Sequence, residues 1–258
     1  MPTLLKAILL GIIQGLTEFL PVSSSGHLVI FQDLFGFEKH SILFDVFLHL
    51  GTLVPIVLVF RRDIGALFTT RRRWLLLLAA GTVPAVLVGG LFYRPIQNVF
   101  ETSWLVGILL LVNGAMLLAG SRLGATRKTR PAGWLHAAAV GIAQAVAILP
   151  GISRSGSTIS TGLATGLDRE DAARFSFLLA IPAIVLAVAY ELWGVANGAE
   201  LVDRAMWGPI AVGTIVAMLV GYGALRALLV VVRRRRLAPF GWYCLALGLA
   251  VLVYHLVH

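Results

Sequence analysis

Residues Gln14–His27 read Q-G-L-T-E-F-L-P-V-S-S-S-G-H. A carboxylate (Glu18), three hydroxyls (Ser23, Ser24, Ser25), a turn glycine (Gly26) and an imidazole (His27) stand there between two apolar segments. The stretch has an echo in the second half of the chain. Gly11, Ile12, Gln14, Ser23, Ser25 and Gly26 recur, at one constant spacing, as Gly141, Ile142, Gln144, Ser153, Ser155 and Gly156. Where the first copy has Ser24, the second has Arg154. One chain thus carries two related serine–glycine turns, one acidic and imidazole-bearing, the other cationic. They are expected to face each other and hold a phosphate between them.

Composition says what surrounds these turns. The 258 residues are 59% hydrophobic and only 13% charged, with a mean hydropathy of +0.91. That departs from soluble averages, and several apolar runs reach the roughly 20 helical residues that cross a hydrocarbon core. The expectation is an all-α polytopic membrane protein. The net charge of +9 does not point to nucleic acid, because thirteen of the 21 Lys and Arg fall in three short loops, Arg61–Arg73, Arg122–Arg130 and Arg233–Arg236. That is the asymmetry of a membrane topology, and acidic lipid headgroups are the natural partners of such loops. A lone cysteine, Cys244, excludes an internal disulfide and a cysteine-based zinc site. The N-terminal apolar stretch lacks a small-residue cleavage pattern, so no removable signal peptide is expected.

Taken in order, residues 3–20 are apolar but interrupted by Gln14, Thr17 and Glu18, and stop at Pro21. Ser23–Gly26 reads as a turn and His27–Phe35 as a second short apolar piece. Two half-length helices joined by a polar turn describe a re-entrant hairpin, tolerated at membrane depth only where protein or a wet cavity surrounds it. Full spans are expected at Ser41–Phe60, Trp74–Tyr93 and Trp104–Gly120. The pattern then restarts. Trp134–Leu149, the Pro150–Gly156 turn and Ser157–Leu167 form a second hairpin, followed by spans Phe175–Trp193, Trp207–Val232 and Phe240–Val257. Within a single membrane domain, 1–258, each half (1–120 and 134–258) is a hairpin plus three crossings. An odd number of crossings inverts the second half, so the hairpins should enter from opposite faces and meet near the midplane. The same parity puts the three basic loops on the cytoplasmic side. It puts Arg94–Ser103, Gly194–Met206 and both termini outside.

Chemistry concentrates at the turns. A carboxylate such as Glu18 costs about 2.5–3.5 kcal/mol within the bilayer on insertion scales, so it faces a partner or a cavity. Gln14 and Glu18, four apart, share one helical face; the plain alternative is an interhelical hydrogen-bond pair. One of the three serines is expected to cap a helix start. Ser24 and His27 can approach each other at such a start, and a hydroxyl beside a base is a minimal activated nucleophile. Pro150–Thr158, P-G-I-S-R-S-G-S-T, reads as an anion nest: backbone N–H groups at a helix N-terminus plus a guanidinium. Its structural alternative is a salt bridge between Arg154 and Glu18. The spacing is not that of a Walker A loop, and no lysine follows. His49 and Asp45 either line the cavity or pair with each other, Arg174 and Glu191 are expected to snorkel at span ends, and Asn113 to act as helix glue.

At these turns the sequence closely resembles the undecaprenyl-pyrophosphate phosphatase family, the bacitracin-resistance type of integral membrane phosphatase. The family's glutamate-or-glutamine, three residues, glutamate, serine-rich turn and histidine match Gln14, Glu18, Ser23–Ser25, Gly26 and His27. Its P-G-x-S-R-S-G matches Pro150–Gly156. The resemblance implies hydrolysis of undecaprenyl pyrophosphate to the monophosphate carrier used in cell-wall synthesis, in the bacterial inner membrane, with the site opening outward. By position it implies Ser24 as nucleophile, His27 as its acid–base partner and Arg154 as the pyrophosphate ligand. Glu18 would hold a Mg2+ or Ca2+ ion or orient the histidine. Ser23, Ser25, Gly26, Gly151, Ser153, Ser155, Gly156 and Thr158 would surround the substrate. Many members have glutamate where this chain has Gln14, which removes one anionic ligand, though an amide carbonyl can serve a hard cation. The resemblance leaves a homodimer open. The competing function is a polyprenyl-phosphate flippase, which needs binding groups but no nucleophile beside a base. A structural membrane scaffold would leave the buried arginine and glutamate unexplained.

Overall fold

The computed structural model describes residues 3–34, 42–100, 102–126, 129–197 and 204–257, and among them all regular structure is helical. Helices α1 (Thr3–Phe19) and α2 (Ser24–Leu34) make the first hairpin, and α3 (Ile42–Leu67), α4 (Arg72–Leu91), α5 (Tyr93–Phe100) and α6 (Ser103–Thr126) follow. Helices α7 (Trp134–Val146) and α8 (Arg154–Thr165) make the second hairpin, and α9 (Arg169–Ala196), α10 (Trp207–Arg233) and α11 (Ala238–Val257) complete the chain. Six of these, α3, α4, α6, α9, α10 and α11, are long and apolar enough to cross a membrane. Their outward faces carry Leu76, Leu87, Leu219, Trp242 and Leu249, all exposed. An apolar surface this continuous suits a hydrocarbon solvent rather than water. The chain is a multi-pass membrane protein.

The packing repeats. α1 lies on α10 as α7 lies on α4; α10 lies on α3 as α4 lies on α9; α3 meets α9 and α6 meets α11. Exchanging α1 with α7, α3 with α9, α4 with α10 and α6 with α11 returns the same set of pairs. The closest approaches obey the exchange too. An added Cβ on Gly11 would lie 2.6 Å from the Gly213 carbonyl oxygen, and one on Gly141 2.5 Å from that of Gly81. Between α6 and α11, Gly114 and Gly241 face each other, as do Gly107 and Gly248. Small residues at helix crossings let backbones touch where lipid gives no hydrophobic drive for association.

One end of the bundle gathers the basic loops. The Arg130 amide, just before α7, donates to the Gly166 carbonyl just after α8 at 2.7 Å, so both ends of the second hairpin lie together. From the next helix Asp171 receives Arg71 at 3.7 Å and Glu170 receives Arg233 at 3.1 Å. All three arginine-rich loops therefore converge on the α8–α9 turn, as the parity argument requires.

Three local expectations need correction. Both hairpin turns are shorter than read, because α2 begins at Ser24 and α8 at Arg154. The reason is capping: the Ser23 hydroxyl accepts from the Gly26 amide at 3.2 Å, and that of Ser153 from Gly156 at 3.1 Å, which starts each helix one residue later. Arg94–Ser103 is not only loop, since α5 occupies most of it. Arg174 does not snorkel: its Nε lies 2.6 Å from Asp63 and its Nη1 pairs with Asp171. Phe35 and Ser41, limits of the first hairpin and first span, lie outside the described residues. So do Glu101, Arg127, Lys128, Glu200 and Asp203 of the loops.

Candidate active site

The two turns meet. The Gly151 amide donates to the Ser23 hydroxyl at 3.0 Å, and a Cβ on Gly26 would stand 3.0 Å from the Gly151 Cα. Gly151 itself has φ +102°, which glycine alone adopts without strain, and its own Cβ position is filled by Leu109 and Val106. Ser23 takes the left-handed conformation in the first turn (φ 71°), a strained choice for a residue with a side chain. Asn113, on α6, ties both turns: its Nδ2 donates to the Pro21 carbonyl at 3.2 Å and its Oδ1 accepts from the Ser153 amide at 3.0 Å. This is the glue role expected of it, applied to two loops rather than two helices.

At the contact stands one ion pair. Arg154 Nη2 donates to Glu18 Oε1 at 2.5 Å. On the other carboxylate oxygen, Ser24 Oγ donates at 2.7 Å and Gln14 Nε2 at 3.1 Å. The pairing with Glu18, considered above as the structural alternative, is therefore present. It also brings the guanidinium and the Ser24 hydroxyl to opposite oxygens of one carboxylate. His49, on α3, which sequence reasoning did not select, reaches the same Oε2 with its Nε2 at 3.7 Å. Its Nδ1 donates to the Asp45 carbonyl at 2.8 Å. The signal available in the sequence was a histidine one turn from Asp45 in an apolar span, too common a pattern to single out.

His27 goes elsewhere. Its Nδ1 bonds the Ser23 carbonyl at 2.7 Å and its Nε2 the Tyr243 hydroxyl at 2.7 Å, so the hydrogen-bond partner of Ser24 is Glu18 and not the imidazole. Tyr243, on the last helix, was not foreseen. No motif links it to the turns, and only the α6–α11 packing brings it there.

Burial sorts the remaining hydroxyls. Ser23, Ser153, Ser155 and Thr158 are all buried. They serve the fold: the first two as caps, Ser155 toward the Leu20 carbonyl at 3.4 Å, Thr158 toward the Arg154 carbonyl at 2.7 Å and Ser176. Gly26, Gly151 and Gly156 are buried as well, whereas Ser24, Ser25 and Arg154 keep partial exposure. Ser24 and Arg154 are thus a repeat pair, both in the first turn of their helix and both only partly buried. Ser23→Ala removes a cap and strands the buried Gly151 amide, so it should lower stability by about 1–3 kcal/mol. Ser25→Ala should change little. Detergent-solution thermal melts of the two variants check this, and equal midpoints would show that the Ser23 bonds contribute nothing.

A hard cation takes oxygen ligands and often completes its shell with substrate phosphates. Gln14 Oε1 is buried with no hydrogen-bond partner, directly beside the Glu18 carboxylate, so the two residues fit such an ion. Among the described residues no group of three or more His, Cys, Asp or Glu could hold a metal by itself. In the second hairpin the mate of Glu18 is Ile148, and Gln144, the mate of Gln14, is buried with neither amide atom partnered.

Residues 7–250 match the family described as bacitracin resistance protein BacA. The chain is 44% identical over 253 residues to an undecaprenyl-diphosphatase of Halothermothrix orenii, covering 96% of each chain. It is 43% identical to the protein of that name from Nocardioides, covering 96% of this chain and 95% of the relative. With the one from Rhodopirellula baltica the identity is 42%, over 99% of this chain and all of the relative.

Proposed function

The chain belongs to the bacitracin resistance protein family, and from that premise we propose that it removes the terminal phosphate of undecaprenyl pyrophosphate. It is an integral membrane phosphatase. The products are inorganic phosphate and the undecaprenyl phosphate carrier, returned to cell-wall synthesis. The observation that carries this reading for these residues is the shared carboxylate: Ser24 and Arg154 bond opposite oxygens of Glu18.

Phosphoryl transfer asks mainly for positioning and charge neutralisation. The Arg154 guanidinium, paired with Glu18 before substrate arrives, exchanges that carboxylate for the diphosphate and neutralises it. Glu18, released from its cation, becomes a better acceptor for the Ser24 proton. As that proton moves to Glu18, Ser24 Oγ bonds to the terminal phosphorus and the bridging P–O bond breaks, its electron pair leaving on the lipid monophosphate. Water then attacks the phosphoserine phosphorus with His27 as its acid–base partner, the Ser24 Oγ–P bond breaks, and Glu18 returns the proton to Ser24 Oγ as inorganic phosphate leaves. The buried hydroxyls of Ser23, Ser153, Ser155 and Thr158, with Gly26, Gly151 and Gly156, shape the cradle and aim the backbone N–H groups of the α8 N-terminus. A Mg2+ or Ca2+ ion would be held by Glu18 and Gln14 and would supply further neutralisation of diphosphate charge.

The setting proposed for this reaction is supported by crossing parity and by the distribution of basic residues. Hairpins α1–α2 and α7–α8 re-enter from opposite faces, as in inverted-repeat folds, with residues 1–120 and 134–258 as the two repeats of one membrane domain. With the arginine-rich end cytoplasmic, both termini and the mouth of the first hairpin face the extracytoplasmic side of the bacterial inner membrane. The substrate enters laterally between spans, its tail remaining in lipid.

The test is phosphate release from undecaprenyl pyrophosphate by protein purified in detergent, with and without chelator. Release that depends on added protein and falls on chelation is expected. No release over background would overturn the hydrolytic reading, and full release under chelator would remove the cation from it.

A further inference from the structure

The mechanism makes no use of the bond between His27 and Tyr243. The imidazole is buried and both of its nitrogens are engaged. Nδ1 faces the Ser23 carbonyl, which can only accept, so the proton of the neutral ring sits on Nδ1. Nε2 is then the lone-pair atom, and the Tyr243 hydroxyl must donate to it. The two rings also stack, with centroids 5.7 Å apart and planes 10° from parallel, and Phe31 stacks on the other ring contact at 6.5 Å. The imidazole therefore has one tautomer and one plane. The tautomer comes from its own strained turn, and the free nitrogen is assigned by a residue of the last helix.

Tyr243 does not need its hydroxyl for packing. Its ring is half-exposed on the outer side of α11, a position where Phe or Leu would serve against lipid, yet the hydroxyl is turned inward to the turn. We infer that Tyr243 is a positioning residue for the reaction: its hydroxyl fixes the ring plane of the Nδ1-protonated His27 and, because it occupies the Nε2 lone pair, a proton from the attacking water reaches Nε2 as the hydroxyl passes on its own proton and takes that one up. This rests on the role proposed for His27. It gives the last helix, which contributes nothing to either motif, a part in the site. The same hydroxyl also ties the first turn to the second half of the chain, alongside Asn113, whose Nδ2 lies 3.2 Å from the sulfur of the neighbouring Cys244.

The experiment uses the full-length protein in detergent and compares wild type, Tyr243→Phe, His27→Gln and the double variant. Tyr243→Phe keeps the ring, so the thermal midpoint should stay close to wild type. Its kcat should fall about tenfold or more with KM little changed, less than the roughly 10^2–10^4 that loss of an acid–base group costs. In the His27→Gln background the tyrosine substitution should have no further effect, because residues acting through one another are not additive. An independent readout is the 15N spectrum of histidine-labelled protein, with the His27 signals identified by their loss in His27→Gln. Wild type should show a protonated Nδ1 and an unprotonated, hydrogen-bonded Nε2, and Tyr243→Phe should shift the Nε2 signal. Unchanged kcat in an active Tyr243→Phe protein, additive losses in the double variant, or an unmoved Nε2 signal would each overturn the inference. A wild type that releases no phosphate would instead sink the hydrolytic reading, while the 15N comparison would still decide the hydrogen bond.

Discussion

Arg154→Gln is expected to reduce phosphate release by about 10^3-fold or more, the scale on which a guanidinium acts when it neutralises charge in phosphoryl transfer. It should also weaken the fold. Glu18 is buried, and Arg154 is the fixed cation on it, 2.5 Å away. Removing one partner of a buried pair leaves an uncompensated charge, at a cost of about 3–5 kcal/mol. Adding Glu18→Gln to the Arg154 variant removes that charge, so most of the lost stability should return while activity should not. Thermal midpoints and phosphate release from the single and double variants separate the two roles. Near-normal turnover in Arg154→Gln would mean that the diphosphate is bound elsewhere.

Ser24→Ala should lose catalysis with less damage to the fold. The hydroxyl bonds only Glu18 Oε2, and the capping of α2 belongs to Ser23. Stability should therefore fall by about 1.5–3 kcal/mol, the net worth of one hydrogen bond to a charged group, and by less than in Arg154→Gln. Turnover should fall by about 10^3-fold or more, as expected when a nucleophile is deleted and only binding and charge stabilisation are left. Retained turnover would move the nucleophile, with Ser25 the next reachable hydroxyl. Read together, the two variants ask whether the mated first residues of α2 and α8 divide the work, one attacking and the other holding.

The same geometry reshapes the acid–base assignment. From sequence, Ser24 and His27 form a couple because they lie three residues apart at a helix start. In the folded chain that proximity is overruled by two longer-range partners. Glu18, from the preceding helix, takes the Ser24 hydroxyl, and Tyr243 takes the imidazole. A side chain at the first turn of a helix can point along several directions, and which one it takes depends on what the rest of the chain places there.

Much of the architecture was legible in the one-dimensional pattern. Hydropathy and length marked six spans because a helix must satisfy its own backbone in lipid, and Gly11, Gln14, Ser23 and Gly26 marked the repeat by recurring in register. The Glu18 and Arg154 charges stood out because apolar surroundings make isolated ions costly. Sequence alone could not supply what depends on helices distant in the chain crossing one another. It did not reveal that α8 starts at Arg154 and α2 at Ser24, that Ser23 and Asn113 bind one turn to the other, or that His49 and Tyr243 reach the turns from α3 and α11. Those contacts have no period and no motif. They arise where Gly107, Gly114, Gly241 and Gly248 let α6 and α11 touch, and where Gly11 and Gly141 let the hairpin helices sink against α10 and α4. Pattern along the chain determined which residues must be sheltered from lipid; backbone approach at those glycines decided which of them meet.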